Sequence, residues 1–300
     1  MTALRTQNIL AGVVAGIKAP ILPRISPGIV VAGLLALAPG VACAQAQTVA
    51  STQAPADSRA AQLYDLIGHA RFVDLTHAFG PGIPHWRGMG DETVETKYDY
   101  DQLGFRIQQF CHVGQWGTHL DPPVHFIKNA RTLDNIPPKD FFLPLVVLDV
   151  HEAVAKNPDY AVSRQDILQW EARNGPVPAG AFVALRTDWS HRWPNQKAMQ
   201  NVDGKGVSHY PGWSLEAIRY LYETRHITAN GHETTDTEPG IVTSKNDYSV
   251  ETYILRNDHY QIELLANLDQ LPARGALIAV GIPKVLNGTG FPVRAIAIIP

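Results

Sequence analysis

The sequence predicts a single α/β domain built on a mixed β-sheet. From residue 58 to the C-terminus, helical and strand patterns alternate with no linker between them, as expected of one continuous domain. Several strand candidates are apolar on consecutive residues, the pattern of strands covered on both faces. Three hundred residues with 45% hydrophobic and 18% charged content are enough to bury a substantial core.

Taken in order, the first helix is expected over residues 58–70 (SRAAQLYDLIGHA). A second is expected over 163–173, where Asp166 stands three residues after a capping Ser163. A third is expected over 214–225, with Leu215, Ile218, Leu221 and Tyr222 along one stripe. Short β-branched runs predict strands at 72–74, 145–150, 182–185, 227–229, 261–265, 277–280 and 295–299. There is no internal repeat and no Gly-rich phosphate loop, which removes nucleotide-dependent chemistry.

The N-terminal region differs in composition. Arg5, Lys18 and Arg24 precede an apolar run at 28–38, followed by small residues ending Ala42-Cys43-Ala44. That order describes a secretory signal cleaved after Ala44, and the run is too short for the roughly 20 residues of a spanning helix. The expected organisation is a signal peptide at 1–44, a flexible linker at 45–57 and a domain at 58–300. The mature protein is then exported and periplasmic, with no membrane segment. Cys43 leaves with the signal, and Cys111 is expected to be a buried, inert thiol despite the adjacent His112, because neighbours in an extended segment face opposite ways. A net charge of −3 without a basic stripe excludes nucleic acid and leaves a small molecule as the partner.

The chemistry concentrates in Gln115-Trp116-Gly117-Thr118-His119-Leu120-Asp121-Pro122-Pro123-Val124-His125. It gathers imidazole, carboxylate and amide donors beside turn residues, a set suited to zinc or manganese. In an extended strand His119 and Asp121, two apart, project to one face and can share an ion. Pro122 and Pro123 fix the following backbone, and His125 is delivered nearby for proton transfer. Gln115 is read either as an oxygen ligand or as a hydrogen-bond partner of bound water.

The motif resembles the H-x-G-T-H-x-D-x-P-x-H signature of the cyclase family of metal-dependent hydrolases, which includes bacterial kynurenine formamidase (arylformamidase) and isatin hydrolase. Further blocks agree in order: Phe72 to His77 with Pro81 to Trp86, Ile262 to Pro272, and Gly288 to Ala295. The resemblance implies a swivelling β/β/α fold, a mixed sheet or barrel core flanked by helices, and a homodimer or higher homo-oligomer. It implies metal ligation by His119, Asp121 and Glu263, with His125 as acid/base. Two family histidines are replaced, one by Gln115 and one by Glu251, so both are carried as oxygen ligands. His112 and His259 are nearby substitutes. Oxygen for nitrogen shifts preference from Zn²⁺ toward Mn²⁺ or Mg²⁺, or reduces the site to one ion.

A divalent ion acidifies water and polarises a carbonyl, and His125 can pass the proton to a leaving amine. The implied activity is hydrolysis of the C–N bond of a small linear or cyclic amide, the arylformamidase reaction of tryptophan catabolism. The alternatives are a lactonase or esterase at the same site, and a noncatalytic metal or ligand-binding protein. Trp86 and Trp116 would supply flat walls for an aromatic substrate, with core packing the commoner role of a lone Trp, and His232 is a substrate-binding candidate at a polar strand end. Glu233 and the Arg186-Thr187-Asp188 segment occupy similar strand ends and are weaker candidates.

Overall fold

The structure, a computed structural model, describes residues 56–300; the expected signal peptide and nearly all of the expected linker lie outside the described residues. The first helix begins at Ala56 and runs Ala56–Gly68, so it takes in the last two linker positions. No helix among the described residues is long and apolar enough to cross a membrane.

Thirteen strands follow in chain order: β1 Arg71–Asp74, β2 Thr93–Tyr98, β3 Ile107–Cys111, β4 His119–Asp121, β5 Phe142–Asp149, β6 Ala161–Val162, β7 Phe182–Arg186, β8 Gly212–Trp213, β9 Ala229–His232, β10 Tyr260–Glu263, β11 Ala276–Gly281, β12 Phe291–Pro292 and β13 Arg294–Ile299. Nine form one sheet in the order β1-β13-β11-β5-β7-β9-β10-β4-β12. Its centre, β5-β7-β9-β10, is parallel, and both flanks are antiparallel. The sheet is mixed, as expected, and it curls into a half-barrel. The curl is visible where the chain leaving β1 reaches back to the chain leaving β10: Ala266 N donates to Leu75 O at 2.9 Å, and Thr76 pairs with Leu265.

The consecutive apolar residues of β5 divide between two cores. Leu145 and Val147 face a cluster with Val73, Leu120, Phe182, Ile262 and Ile278. Val146 and Leu148 face a second cluster, in which the helices supply Ile167, Trp170, Ile218, Leu221 and Ile254. Covering both faces excludes water from the ladder and buries apolar area twice over, at roughly 25 cal/mol per Å².

The helix Arg164–Asn174 starts as expected: Ser163 Oγ accepts from Asp166 N, and the Asp166 carboxylate accepts from Ser163 N. The third helix keeps its cap at Ser214 but is regular only over Leu215–Arg219, widening to a π turn over Tyr220–Thr224. Tyr220, Leu221 and Tyr222 are all buried, and three successive inward side chains do not fit an α-helical stripe.

Two expectations need correction. The strand at 227–229 lies instead at Ala229–His232, because His226 takes a left-handed turn and pairing starts after it. Cys111 is exposed, not buried. It closes the β2–β3 hairpin, which pairs only with itself and exposes every residue of both strands.

Candidate active site

The site is assembled on β4 and β10 by strand register. Leu120 opposes Ile262, and both enter the interior core. The alternation then turns His119, opposite Glu263, and Asp121, opposite Gln261, to the other face. His119 Nε2 lies 3.4 Å from Asp121 Oδ2 and 3.5 Å from Glu263 Oε2, with all three residues buried. His119 Nδ1 donates to Gly117 O at 2.8 Å, which leaves the Nε2 lone pair toward the carboxylates, the usual orientation of a ligating imidazole.

A second group shares Asp121. A short 3₁₀ turn, Pro123–His125, swings His125 back so that Nε2 stands 3.9 Å from both Asp121 Oδ1 and Glu251 Oε1. Glu251 comes from the first turn of the helix Ser249–Arg256, whose Val250 and Glu251 amides donate to the buried carboxylate of Glu238. The donor atoms within each group, His119/Asp121/Glu263 and Asp121/His125/Glu251, are mutually within 4.8 Å.

These residues fit a divalent cation. Asp121, Glu251 and Glu263 have only histidines as ion-pair partners among the described residues, with no Lys or Arg. Burial, and then the Asp121 charge, pushes Glu251 and Glu263 well above the usual carboxylate range. For His119 and Asp121 burial acts against charge, but their mutual attraction outweighs it, raising the imidazole and lowering the carboxyl. Asp121 Oδ2 is enclosed with no hydrogen-bond donor. Crowded buried carboxylates with an orphaned oxygen are costly alone and are relieved by a cation.

Gln115 joins the cluster through its nitrogen. Nε2 donates to Thr289 O at 2.8 Å and to Asp121 Oδ1 at 3.2 Å, and stands 3.3 Å from His125 Nδ1. The Thr289 carbonyl can only accept, which fixes the amide orientation. Gly290 makes room, since a Cβ there would lie 2.1 Å from Gln115 Nε2. An N–H group does not ligate a cation, so the sequence-based reading of Gln115 as an oxygen ligand gives way to a brace between Asp121 and His125.

The remaining expectations separate. Trp86 lines the cavity over the cluster. Trp116 does not: it is fully buried, with its ring centroid 4.8 Å from that of His85. The positive φ of Gly117, +61°, turns the chain just before β4 and leaves the indole in the core. His232 is also behind the wall, fully buried, its Nε2 3.3 Å from Glu263 Oε1, and burial lowers its pKa to about 3. It meets the metal-binding group and not the substrate space. His112 and His259 reach neither group; His112 packs against Phe79 and Phe291, and His259 stacks on Tyr222. Glu233 is structural, taking the Thr187 amide and the Thr187 and Ser190 hydroxyls. Arg186 pairs with Asp149 and Asp188, outside the cavity.

The cavity has a volume of about 290 Å³. One end is the cluster of His119, His125, Glu251 and Glu263, and His85, Trp86, Met89, Phe126, Tyr248 and Leu264 supply largely apolar walls. That combination suits a small, flat ligand. Asp236 and Thr235 also line it and were not anticipated from the sequence. Their signal is the polar run directly after β9.

The family profile described as "Putative cyclase" matches residues 73–239. The chain is 30% identical over 249 residues to an isatin hydrolase of Roseibium aggregatum, covering 78% of this chain and 94% of the relative. Among solved structures, isatin hydrolase A from Ralstonia solanacearum aligns with a TM-score of 0.75 at 32% identity, covering 84% of this chain and all of that one (100%). An isatin hydrolase bound to the product analogue thioisatinate aligns with a TM-score of 0.76 at 30% identity, covering 82% and 99%. With a half-barrel of the same fold and a profile spanning its first strands and the metal-ligating motif, the chain belongs to the cyclase family.

Proposed function

We propose that the protein is a metal-dependent hydrolase that opens the C–N bond of a small cyclic amide of the isatin type, with linear aryl formamides as a related class. The observation that carries this reading is the pair of donor groups sharing Asp121 at the end of an apolar-walled cavity. The relatives named isatin hydrolase, one of them bound to thioisatinate, support the cyclic amide.

His119, Asp121 and Glu263 would hold one divalent ion, with Glu251 and His125 beside it and His232 against Glu263. Such an ion, Mn²⁺ or Zn²⁺ by donor type, supplies Lewis acidity to water and carbonyl. The chain's own part is orientation and proton movement. Gln115 Nε2 spends its two hydrogens on Thr289 O and Asp121 Oδ1 and packs 3.3 Å from His125 Nδ1, which holds the imidazole with Nε2 toward Asp121 and Glu251. His125 Nε2 is then the atom that gives a proton to the departing nitrogen and regains one from water. Trp86 and Phe126 hold the flat ring and exclude water from the cavity.

The fully exposed β2–β3 hairpin supports self-association as the quaternary state, because an isolated two-stranded hairpin is marginal in water. Export remains part of the proposal. N-terminal sequencing of the secreted chain and its sedimentation check these two readings.

The central test is to assay the protein after chelation and after readdition of Mn²⁺ or Zn²⁺, on isatin, N-formylkynurenine and a small lactone. Activity on isatin that disappears with the metal and returns with it is the expected result. Activity indifferent to chelation overturns the metal mechanism. Full metal loading without turnover of any of the three favours a binding protein.

A further inference from the structure

Asp236 stands apart from the ligating groups but opens on the same cavity. It follows β9 in the run Glu233-Thr234-Thr235-Asp236-Thr237-Glu238, buried but for a half-buried Thr235, and is only 6% exposed. One carboxylate oxygen is pinned: Oδ2 accepts the hydroxyls of Tyr210, at 2.5 Å, and Thr235, at 3.3 Å. Tyr210 is itself fixed by the Thr243 hydroxyl at 2.6 Å. The other oxygen, Oδ1, takes no side-chain or backbone donor among the described residues, yet it is not among the enclosed orphan atoms. It is therefore open to the space that Asp236 lines, between the aromatic cavity and the recess shared with Arg87.

The surroundings make this a held acceptor. A small polar space behind Asp236 is shared with Trp86, Thr235 and Tyr248, so the carboxylate separates the aromatic cavity from a second recess. Asp236 lines the same cavity as His119, Glu251 and Glu263. Burial raises its pKa to about 6, against the Tyr210 and Thr235 hydrogen bonds and the Arg87 charge, which favour the carboxylate. A desolvated acceptor with one free oxygen is costly until a ligand donates to it.

We propose that Asp236 Oδ1 accepts the N–H of the substrate amide, and that this bond makes the enzyme an amidase selective for N–H amides over N-substituted amides and esters. The inference rests on the hydrolase reading and settles which carbonyl class the cavity takes. The C–N bond still breaks through water addition at carbon and proton delivery to nitrogen by His125. Asp236 holds that nitrogen in place, and it is a specificity-determining residue because an ester presents no donor to satisfy it.

The experiment compares isatin with N-methylisatin in wild type, Asp236→Asn and Tyr210→Phe, with metal content measured for each. For isatin, Asp236→Asn is expected to lower kcat/KM by about 10- to 100-fold, the scale of one hydrogen bond to a charged group. For N-methylisatin the loss is expected to stay below about 3-fold, so the ratio between the substrates collapses. Tyr210→Phe, which keeps the carboxylate but loosens it, is expected to lower isatin turnover by several-fold, without loss of metal. Equal losses on both substrates, or no loss on either, overturn the proposal, and so does loss of metal from Asp236→Asn. Wild type inactive on both substrates overturns the cyclic-amide reading, and this inference with it.

Discussion

The two donor groups that share Asp121 are built from different kinds of structure. His119 and Glu263 face each other across paired strands and are almost fully enclosed. His125 and Glu251 come from a 3₁₀ turn and the first turn of a helix, and the His125 side chain is 25% exposed. Strand pairing holds donors at one separation, which suits affinity. Turns that open on a cavity let a side chain meet substrate and solvent, which suits proton transfer. On the function proposed above, the difference gives holding to the inner group and chemistry to the outer one.

Asp121→Ala removes the member common to both, and kcat/KM on isatin should fall on the order of 10⁴-fold, with metal lost on elemental analysis. Retained metal in that variant would break the comparison at its root. Next in size, His125→Ala should keep its metal and lose about 10²- to 10³-fold in kcat, whereas His119→Ala should lose metal affinity itself. Parallel metal loss in the two variants would mean that the groups do not differ in role.

Asp236, outside both groups, is raised by burial even with the Arg87 cation lining the same recess, so its titration should appear in stability. Its folded pKa is raised from 3.8 to about 6 by burial. The protonated form is the favoured one in the fold, so its contribution is fully present below the unfolded value and is lost as pH rises through about 6. Relative to Asp236→Asn, wild type should lose up to about 3 kcal/mol between pH 4 and 7. Parallel denaturation midpoints for the two proteins across that range would contradict it. The smallest effect belongs to Gln115→Ala, which should cost about 10-fold in kcat through a misdirected His125 and leave inner-group metal affinity within a few-fold. A larger loss of metal than of kcat would return Gln115 to the ligands.

Much of this was legible in the chain. The alternation that puts Leu120 inward sends His119 and Asp121 outward, and a period of two is enough to see it. The capping box at Ser163 and the doubly covered β5 are equally local. What escaped has distant causes. Asn230, Gly231 and His232 lack strand propensity, yet β9 runs through them because β7 and β10 pair on either side and only glycine fits against Ile262 O, 2.8 Å from a built Cβ. Cys111 left its expected buried environment, since burial there depends on whether a segment packs on the sheet or stands off in a hairpin. Asp236 became visible only when the walls of the cavity were assembled.

The three-residue strand β4 is hydrogen-bonded on one side to β10 and on the other to β12. Shifting it by one position would turn both ligands into the apolar interior, so a partly loosened version of the inner group has nowhere to go. Its amide hydrogens should therefore exchange with solvent only when the whole domain opens, on the slowest timescale in the molecule. The capacity to grip the ion and the capacity to stay folded would then be inherited together, and a lineage could not trade one for the other by small steps.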